Sequence, residues 1–236
     1  FINEYGAPDV CIATNWPVMC VVAETVRRIL KSDYKIISWV HSSIAEYKKA
    51  GLGVIDEMLC ADAHLCISRN NERHLLEYVE RTKVYYVGNP VIMQPFIEKT
   101  HGEKQLCYVG RLQEIKRVDI ILEALYRAHN KWNLRIIGDG ESAQDLKEIT
   151  RYLKLQDRVE YTGWKENPWE YCRDAYALVA ASEYEGFMLT GAEAMSMGLT
   201  VISTPVEGLI DYLIPGKNGY LFEKNNAEEL AQVLDY

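Results

Sequence analysis

Short apolar runs alternate with amphipathic stretches along most of the chain. Compact apolar runs bounded by polar residues are typical of strands buried on both faces. In the first part of the chain these runs predict strands at Val10–Thr14, Tyr34–Val40, His64–Ser68 and Lys83–Val87. The stretches between the runs predict helices at Trp16–Leu30, Leu52–Ala61 and Asn70–Glu80.

The same alternation restarts after residue 104. The spacing of Val118, Ile121, Leu122 and Leu125 places four apolar residues on one helical face. Repeated strand–helix–strand units favour parallel sheets covered by helices. We therefore expect an α/β protein with two Rossmann-like parallel-sheet domains. The apolar runs of this second part predict strands at Gln105–Val109, Leu134–Gly138, Arg158–Thr162, Ala177–Ala181 and Thr200–Ser203.

A Pro-containing, charged stretch between Gly88 and Lys104 separates the two strand patterns. Such a composition is typical of an interdomain linker. The predicted domains are residues 1–94 and residues 95–236. The chain begins with Phe1 rather than Met, so we expect it to be part of a longer protein.

Composition narrows the class of protein. The 236 residues are 48% hydrophobic and 25% charged, as in an ordinary globular protein. Lys and Arg number 26 against 34 Asp and Glu, a net charge of −8, which argues against nucleic acid as the main partner. The six cysteines form no C-x-x-C pair, and no apolar stretch approaches the length of a membrane span. These features predict a cytoplasmic protein with reduced thiols.

The segment from Gly110 to Lys116 joins a predicted strand to a predicted helix. Arg111 offers a planar fork of donors and Lys116 a compact charge. At the carboxyl end of a strand this pair could grip a phosphate or a carboxylate. The alternative is an ordinary surface turn.

Gly138 and Gly140 follow the predicted strand at Leu134–Gly138. Glycine permits the close approach of backbone to a ligand. A tight turn that caps the next helix, with Ser142 as N-cap, is at least as good an interpretation.

The stretch from Glu185 to Glu193 carries the strongest signal. A helix predicted to begin near Met188 would present unpaired N–H groups and the positive end of its dipole, which suits an anion. Glu193 lies between Ala192 and Ala194, where a carboxylate is costly unless it has a partner. Carboxylates on both sides of an anion-binding turn suit a nucleotide sugar. The alternative is that both glutamates are solvated.

Together these stretches resemble the family 4 retaining glycosyltransferases, which have the two-domain GT-B architecture. Glu185 to Glu193 matches the E-x7-E signature of that family, and Trp39-Val40-His41 resembles its active-site histidine segment. Further stretches, among them Ile136–Gly140, are similar to the bacterial lipopolysaccharide galactosyltransferases within the family. Two positions depart from the pattern. Arg117 stands where the family usually has glycine, and Thr190-Gly191 replaces an apolar pair.

The resemblance implies that residues 1–94 are a partial acceptor-side domain, incomplete here, and that residues 95–236 are a nucleotide-sugar-binding domain. It also implies roles for individual residues. Arg111 and Lys116, beside Gly110, would bind the donor diphosphate, and Glu193 would hold the ribose hydroxyls. Glu185 would contact the donor sugar, and His41 would line the sugar site. The remaining implied contacts are backbone N–H groups around Gly186, Phe187, Met188 and Leu189 on sugar and phosphate, and Gly163 and Trp164 by the nucleobase.

The implied reaction is the transfer of a hexose from a nucleotide sugar to a saccharide or a lipid-linked glycan, with retention and without a metal. The resemblance favours UDP, and galactose less strongly; no other cofactor is expected. It also admits a peripheral contact with the inner face of the plasma membrane. The pair Lys48-Lys49 gives this expectation little support, because two lysines do not form a polybasic surface. A non-catalytic nucleotide-sugar-binding subunit and a sugar-nucleotide epimerase of the same fold remain open alternatives.

Overall fold

The computed structural model describes residue 6, residues 8–97 and residues 104–236. Part of the predicted linker, residues 98–103, lies outside this range. Contacts divide the chain into two units, the first holding residues up to Pro90 together with Glu185–Phe187. The second unit holds Val91–Tyr184 and Met188–Tyr236. The predicted domains divide four residues later in the chain, between residues 94 and 95.

The first unit is built on a four-stranded sheet in which all neighbouring strands are parallel, in the order β1-β2-β3-β4. Helices connect the strands, and a 3-10 helix, Ile55–Met58, precedes β3. The strands are β1 (Val10–Asn15), β2 (Lys35–Val40), β3 (Ala63–Cys66) and β4 (Val84–Tyr86), and the helices are α1 (Val18–Leu30), α2 (Ile44–Lys49) and α3 (Arg69–Leu75).

Side-chain caps start two of these helices. The Ser43 hydroxyl accepts a hydrogen bond from the Glu46 amide at the start of α2, and Ser68 does the same for Asn71 at the start of α3. The prediction of a helix over 52–61 is wrong: only Ile55–Met58 forms a 3-10 turn there. Gly51 and Gly53 precede that turn with φ of 69° and 133°, a backbone that a continuous helix does not allow.

The second unit is built on a six-stranded parallel sheet in the order β10-β9-β8-β5-β6-β7. Four helices cover it: α4 (Val118–Arg127), α5 (Ala143–Tyr152), α6 (Leu189–Ser196) and α7 (Ala227–Asp235). The strands are β5 (Gln105–Val109), β6 (Asn133–Ile137), β7 (Val159–Gly163), β8 (Ala177–Ala180), β9 (Thr200–Ser203) and β10 (Gly219–Leu221).

Both faces of the six-stranded sheet are buried. Leu106 and Tyr108 of β5 belong to a core that includes α4, α5 and α7, whereas Cys107 points into a second core that includes α6. This alternation follows from the period of two along a strand. All six cysteines are free thiols. None of the helices in the described part of the chain is both long and apolar enough to cross a bilayer.

Candidate functional site

The strand order of the second sheet contains one reversal. β6 and β7 follow β5 on one side, while β8, β9 and β10 continue on its other side. In open parallel sheets a ligand binds in the crevice outside the carboxyl ends of the two strands where the order reverses. Here those strands are β5 and β8, which end at Val109 and Ala180. The crevice is therefore flanked by the loops after these two strands.

The loop after β5 is locked to the loop after β6. Gly110 N–H donates to the Ile137 carbonyl at 3.1 Å, and Leu112 N–H to the Asp139 carbonyl at 2.9 Å. A Cβ on Gly138 would lie 1.9 Å from the Gly110 carbonyl oxygen, so only glycine fits there. The glycines after β6 thus make room for the neighbouring loop, which supports the tight-turn interpretation. Ser142 is the N-cap of α5, as predicted, but its side chain makes no capping hydrogen bond.

The two predicted phosphate-binding cations lie on this locked loop. Arg111 is exposed, and its guanidinium has no hydrogen bond or ion pair with any described residue. Its carbonyl accepts a hydrogen bond from the Tyr108 hydroxyl at 2.8 Å, which holds the backbone in place. Lys116 is half-buried at the end of the 3-10 helix Glu114–Lys116. The structure therefore places Gly110, Arg111 and Lys116 at the crevice.

Arg117 stands at the position where the resemblance led us to expect glycine, and the structure shows how an arginine is accommodated there. It adopts the left-handed conformation, φ 47° and ψ 45°, which favours glycine. Its guanidinium pairs with Asp119 at 2.8 Å and with Glu183 at 3.2 Å, and also bonds to Asn225. These contacts offset the backbone strain. Sequence reasoning did not identify them because Glu183 and Asn225 lie far along the chain.

The loops after β5 and β8 also join directly. The Glu183 N–H donates to the Ile115 carbonyl at 2.9 Å. The Ser182 carbonyl, at the end of β8, accepts from the buried Thr204 hydroxyl at 2.6 Å. One backbone hydrogen bond and one side-chain hydrogen bond thus hold the walls of the crevice in place.

Helix α6 begins beside this crevice, close to the predicted start. Met188 is its N-cap in the left-handed conformation, φ 58°, and no side chain caps the helix. The Tyr212 hydroxyl donates to the Met188 carbonyl at 2.6 Å. A Cβ on Gly191 would lie 2.9 Å from that hydroxyl, so glycine makes room for the tyrosine. Tyr212 was missed because nothing near it in sequence marks it.

Glu193 lies on α6 with its carboxylate half-buried. Among the described residues it has no hydrogen-bond or ion-pair partner for its side chain. Burial raises the pKa of Glu193 above its usual value because a charged carboxylate loses water there. An acid without a protein partner in such a place is energetically costly, and a ligand that donates hydrogen bonds would remove the cost.

Gly163 is the last residue of β7 and Trp164 follows it, at the same carboxyl edge and two strands away from β5. The Gly163 carbonyl accepts from the Gly138 N–H at 3.0 Å, which ties this turn to the locked loops. The Trp164 side chain is 72% exposed. Their proximity to a nucleobase stays a prediction.

The remaining predicted residues belong to the first unit. His41 follows β2, is exposed, and its N–H donates to the Tyr47 hydroxyl at 3.2 Å. Its ring lies 5.0 Å from the Trp39 ring. Glu185, Gly186 and Phe187 lie in the chain between β8 and α6 and are grouped with this unit. The roles of all four residues stay predictions.

No group of three or more His, Cys, Asp or Glu side chains stands where it could hold a metal ion, within the described residues.

The model of the family described as glycosyl transferases group 1 matches residues 93–236. The chain is 29% identical to the lipopolysaccharide 1,6-galactosyltransferase of Escherichia coli strain K12, over 100% of this chain and 67% of that protein. The predicted resemblance to such enzymes is therefore confirmed.

Solved structures agree with the sequence comparison. The apo form of the lipopolysaccharide outer core galactosyltransferase WaaB matches with a TM-score of 0.85 and 29% identity, over 98% of this chain and 66% of that chain. Anabaena HepE in complex with UDP-glucose matches with a TM-score of 0.80 and 17% identity, over 96% and 68%, a likeness of fold alone. The predicted α/β fold with two Rossmann-like parallel sheets is confirmed. The chain spans about two thirds of the length of these proteins.

Proposed function

The chain belongs to the glycosyl transferases group 1 family, and from that premise we propose that its protein transfers a hexose from a UDP-sugar to a saccharide or lipid-linked glycan. The names of the similar proteins favour galactose as the hexose and lipopolysaccharide as the acceptor. We further propose retention of anomeric configuration and no requirement for a metal.

One observation carries the proposal. The half-buried carboxylate of Glu193, which has no partner among the described residues, lies on the helix that begins beside the crevice. The ribose of a nucleotide sugar supplies two hydroxyl donors for such a carboxylate, and its diphosphate suits the helix N-terminus and the cations on the β5 loop. Donor binding would thus supply partners for the Glu193 carboxylate and the Arg111 guanidinium, whose side chains have none among the described residues.

The slow step is the departure of the nucleoside diphosphate, because negative charge grows on the β-phosphate as the anomeric bond breaks. Arg111, Lys116 and the N–H groups at Met188 and Leu189 would stabilise that charge. Groups held in advance against a developing charge lower the barrier most. The hydrogen bonds that lock the β5 loop supply this preorganisation. For His41 and Glu185, contact with the donor sugar rests on the family resemblance.

Product analysis tests the reaction. The protein is incubated with radiolabelled UDP-galactose or UDP-glucose and lipopolysaccharide lacking outer-core galactose. Label in the acceptor supports transfer, and the anomeric configuration of the product and the effect of EDTA test retention and metal independence. Label in an epimeric nucleotide sugar indicates an epimerase. Binding of UDP without any product indicates a non-catalytic subunit.

Glu193→Gln tests the binding site itself. A hydrogen bond to a charged group contributes about 1.5–3 kcal/mol, so we expect at least roughly a tenfold loss in UDP affinity by calorimetry. Because burial disfavours the charged carboxylate, the substitution does not lower the stability of the ligand-free protein. Glu148→Gln on the exposed face of α5 is the matched control, with unchanged affinity. An unchanged affinity in Glu193→Gln contradicts the proposed ribose contact.

A further inference from the structure

The first unit contains a pocket of about 420 Å³ that the proposed donor site does not use. Small-molecule sites have volumes of roughly 300–1,000 Å³, so this pocket is large enough for one. It lies where β1 ends and α1 begins, beside the loop that leads from α2 to the 3-10 helix Ile55–Met58. Its principal lining residues are Trp16, Val18, Lys48, Leu52, Val54 and Glu57.

Gly53 shapes the wall of this pocket. Its φ is 133°, and a Cβ there would lie 2.5 Å from Glu57 Oε2 and 2.8 Å from Pro17 Cβ. The absence of a side chain lets the loop close against the start of α1. The Val54 N–H then donates to Glu57 Oε2 at 3.0 Å, which fixes the carboxylate at the pocket.

Three polar groups of the pocket lack partners among the residues that the structure describes. They are the indole N–H of Trp16, the ammonium of Lys48 and the second oxygen of Glu57. Lys48 and Glu57 line the same pocket without forming an ion pair. Trp16 is 47% exposed and offers an aromatic surface next to the apolar Val18 and Leu52.

This combination selects one class of ligand. A purely apolar ligand would strip water from two charges without replacing it. A purely anionic ligand would meet the carboxylate of Glu57 as well as Lys48. A sugar ring has an apolar face of C–H groups that can cover an indole, and a rim of hydroxyls that both donate to a carboxylate and accept from an ammonium or an N–H.

We propose that this pocket binds a hexopyranose ring of the acceptor glycan, with its C–H face on Trp16 and its hydroxyls on Lys48 and Glu57. This inference rests on the proposed function, because it names the place where that reaction's saccharide acceptor is held. It names Trp16, Lys48 and Glu57 as acceptor-binding residues, distinct from His41 and from the groups proposed to bind the donor.

Titration followed by ¹H–¹⁵N NMR of the indole N–H groups tests the proposal. The chain has five tryptophans, and Trp16→Phe assigns the signal of Trp16. The probe is deacylated lipopolysaccharide core oligosaccharide lacking outer-core galactose. We expect the Trp16 signal to shift on titration. Trp16→Ala should weaken binding by roughly tenfold or more, the scale for a central aromatic contact, while Trp16→Phe retains most of the affinity.

Two controls keep the result interpretable. Tyr152→Ala removes another exposed aromatic side chain and should bind the oligosaccharide like the wild type. UDP binding should be equal in Trp16→Ala and the wild type, which shows that the variant is folded. UDP binding without any Trp16 response to the oligosaccharide overturns the pocket assignment alone. If the wild type does not bind UDP, the proposed function is contradicted instead.

Titration with phospholipid vesicles distinguishes a saccharide ligand from a membrane surface. Anionic phospholipid vesicles that shift the Trp16 signal, with no response to the oligosaccharide, would assign the pocket to a membrane surface and overturn the saccharide proposal. In a transfer assay, the proposal requires a raised KM for the acceptor in Trp16→Ala with an unchanged KM for the donor.

Discussion

The two sheets share parallel pairing but differ in how their faces are covered. In the second sheet, consecutive residues of β5 enter two different buried cores. In the first sheet, Ile36 and Val40 of β2 enter a buried core on one face. On the opposite face, among the residues that the structure describes, Val10 is 46% exposed, Ile12 49% and Tyr85 51%.

The difference in coverage accompanies a difference in strand order. Within the described residues, the strands of the first sheet follow their order in the sequence, whereas the order of the second sheet reverses between β5 and β8. Only a reversal creates a crevice at the carboxyl ends of two adjacent strands. The loops that flank this crevice are joined by backbone hydrogen bonds, as between Glu183 and Ile115. A sheet packed on both faces thus supports the rigid loops that the proposed chemistry requires.

The largest expected effect concerns the core of the second sheet. Leu106→Ala removes a fully buried side chain and should lower the free energy of unfolding by about 2–5 kcal/mol. Tyr152→Ala, at a side chain of α5 in the same unit that is 85% exposed, should cost less than about 1 kcal/mol. Urea denaturation followed by circular dichroism measures both. Equal losses in the two variants would contradict the burial of Leu106 in the core of this unit.

Acid should act on the first unit through His64. This side chain is fully buried, its Nδ1 lies 2.7 Å from the Ser38 hydroxyl, and burial lowers its pKa from 6.5 to about 4. Above pH 6.5, His64 is neutral in both the folded and the unfolded state, so its burial costs no free energy of unfolding. Between pH 6.5 and about 4 only the unfolded state takes up the proton, so stability falls, by roughly 3 kcal/mol in all.

His64→Gln checks this pH dependence. The variant has no titrating group at this position, so its stability should change less between pH 7 and pH 4 than that of the wild type. Thermal unfolding at several pH values gives the comparison. A parallel pH dependence in the variant and the wild type would remove His64 as the cause.

The third prediction concerns the crevice of the second sheet. Lys116→Ala should lower kcat by at least about 100-fold, which corresponds to roughly 2.7 kcal/mol for one preorganised electrostatic donor. Lys217→Ala, on an exposed turn of the same unit, should leave the rate unchanged. Steady-state transfer assays measure both. A loss of less than threefold in Lys116→Ala would refute its role at the diphosphate.

Much of the fold could be predicted from local patterns. The predicted strands at Gln105–Val109 and Thr200–Ser203 coincide with β5 and β9. The helix α2 was missed although Ser43 and Glu46 mark its start at a spacing typical of a cap. The helix predicted over 52–61 does not form, because Gly51 and Gly53 adopt backbone conformations that a continuous helix does not allow. The sequence indicated the segments of the candidate site one by one. It did not indicate the residues that support them, which are Tyr212, Glu183 and Asn225.

The sequence by itself determined the alternation of strands and helices, because hydrophobic periodicity is a property of neighbouring residues. It also determined which loops carry charge, such as the one with Arg111 and Lys116. Only the tertiary structure decided the order of the strands and therefore the position of the crevice. That order depends on pairing between distant segments, such as β5 with β8, which no local pattern encodes. For the same reason only the structure shows that Arg117 replaces a glycine at the expense of strain that Asp119 and Glu183 offset.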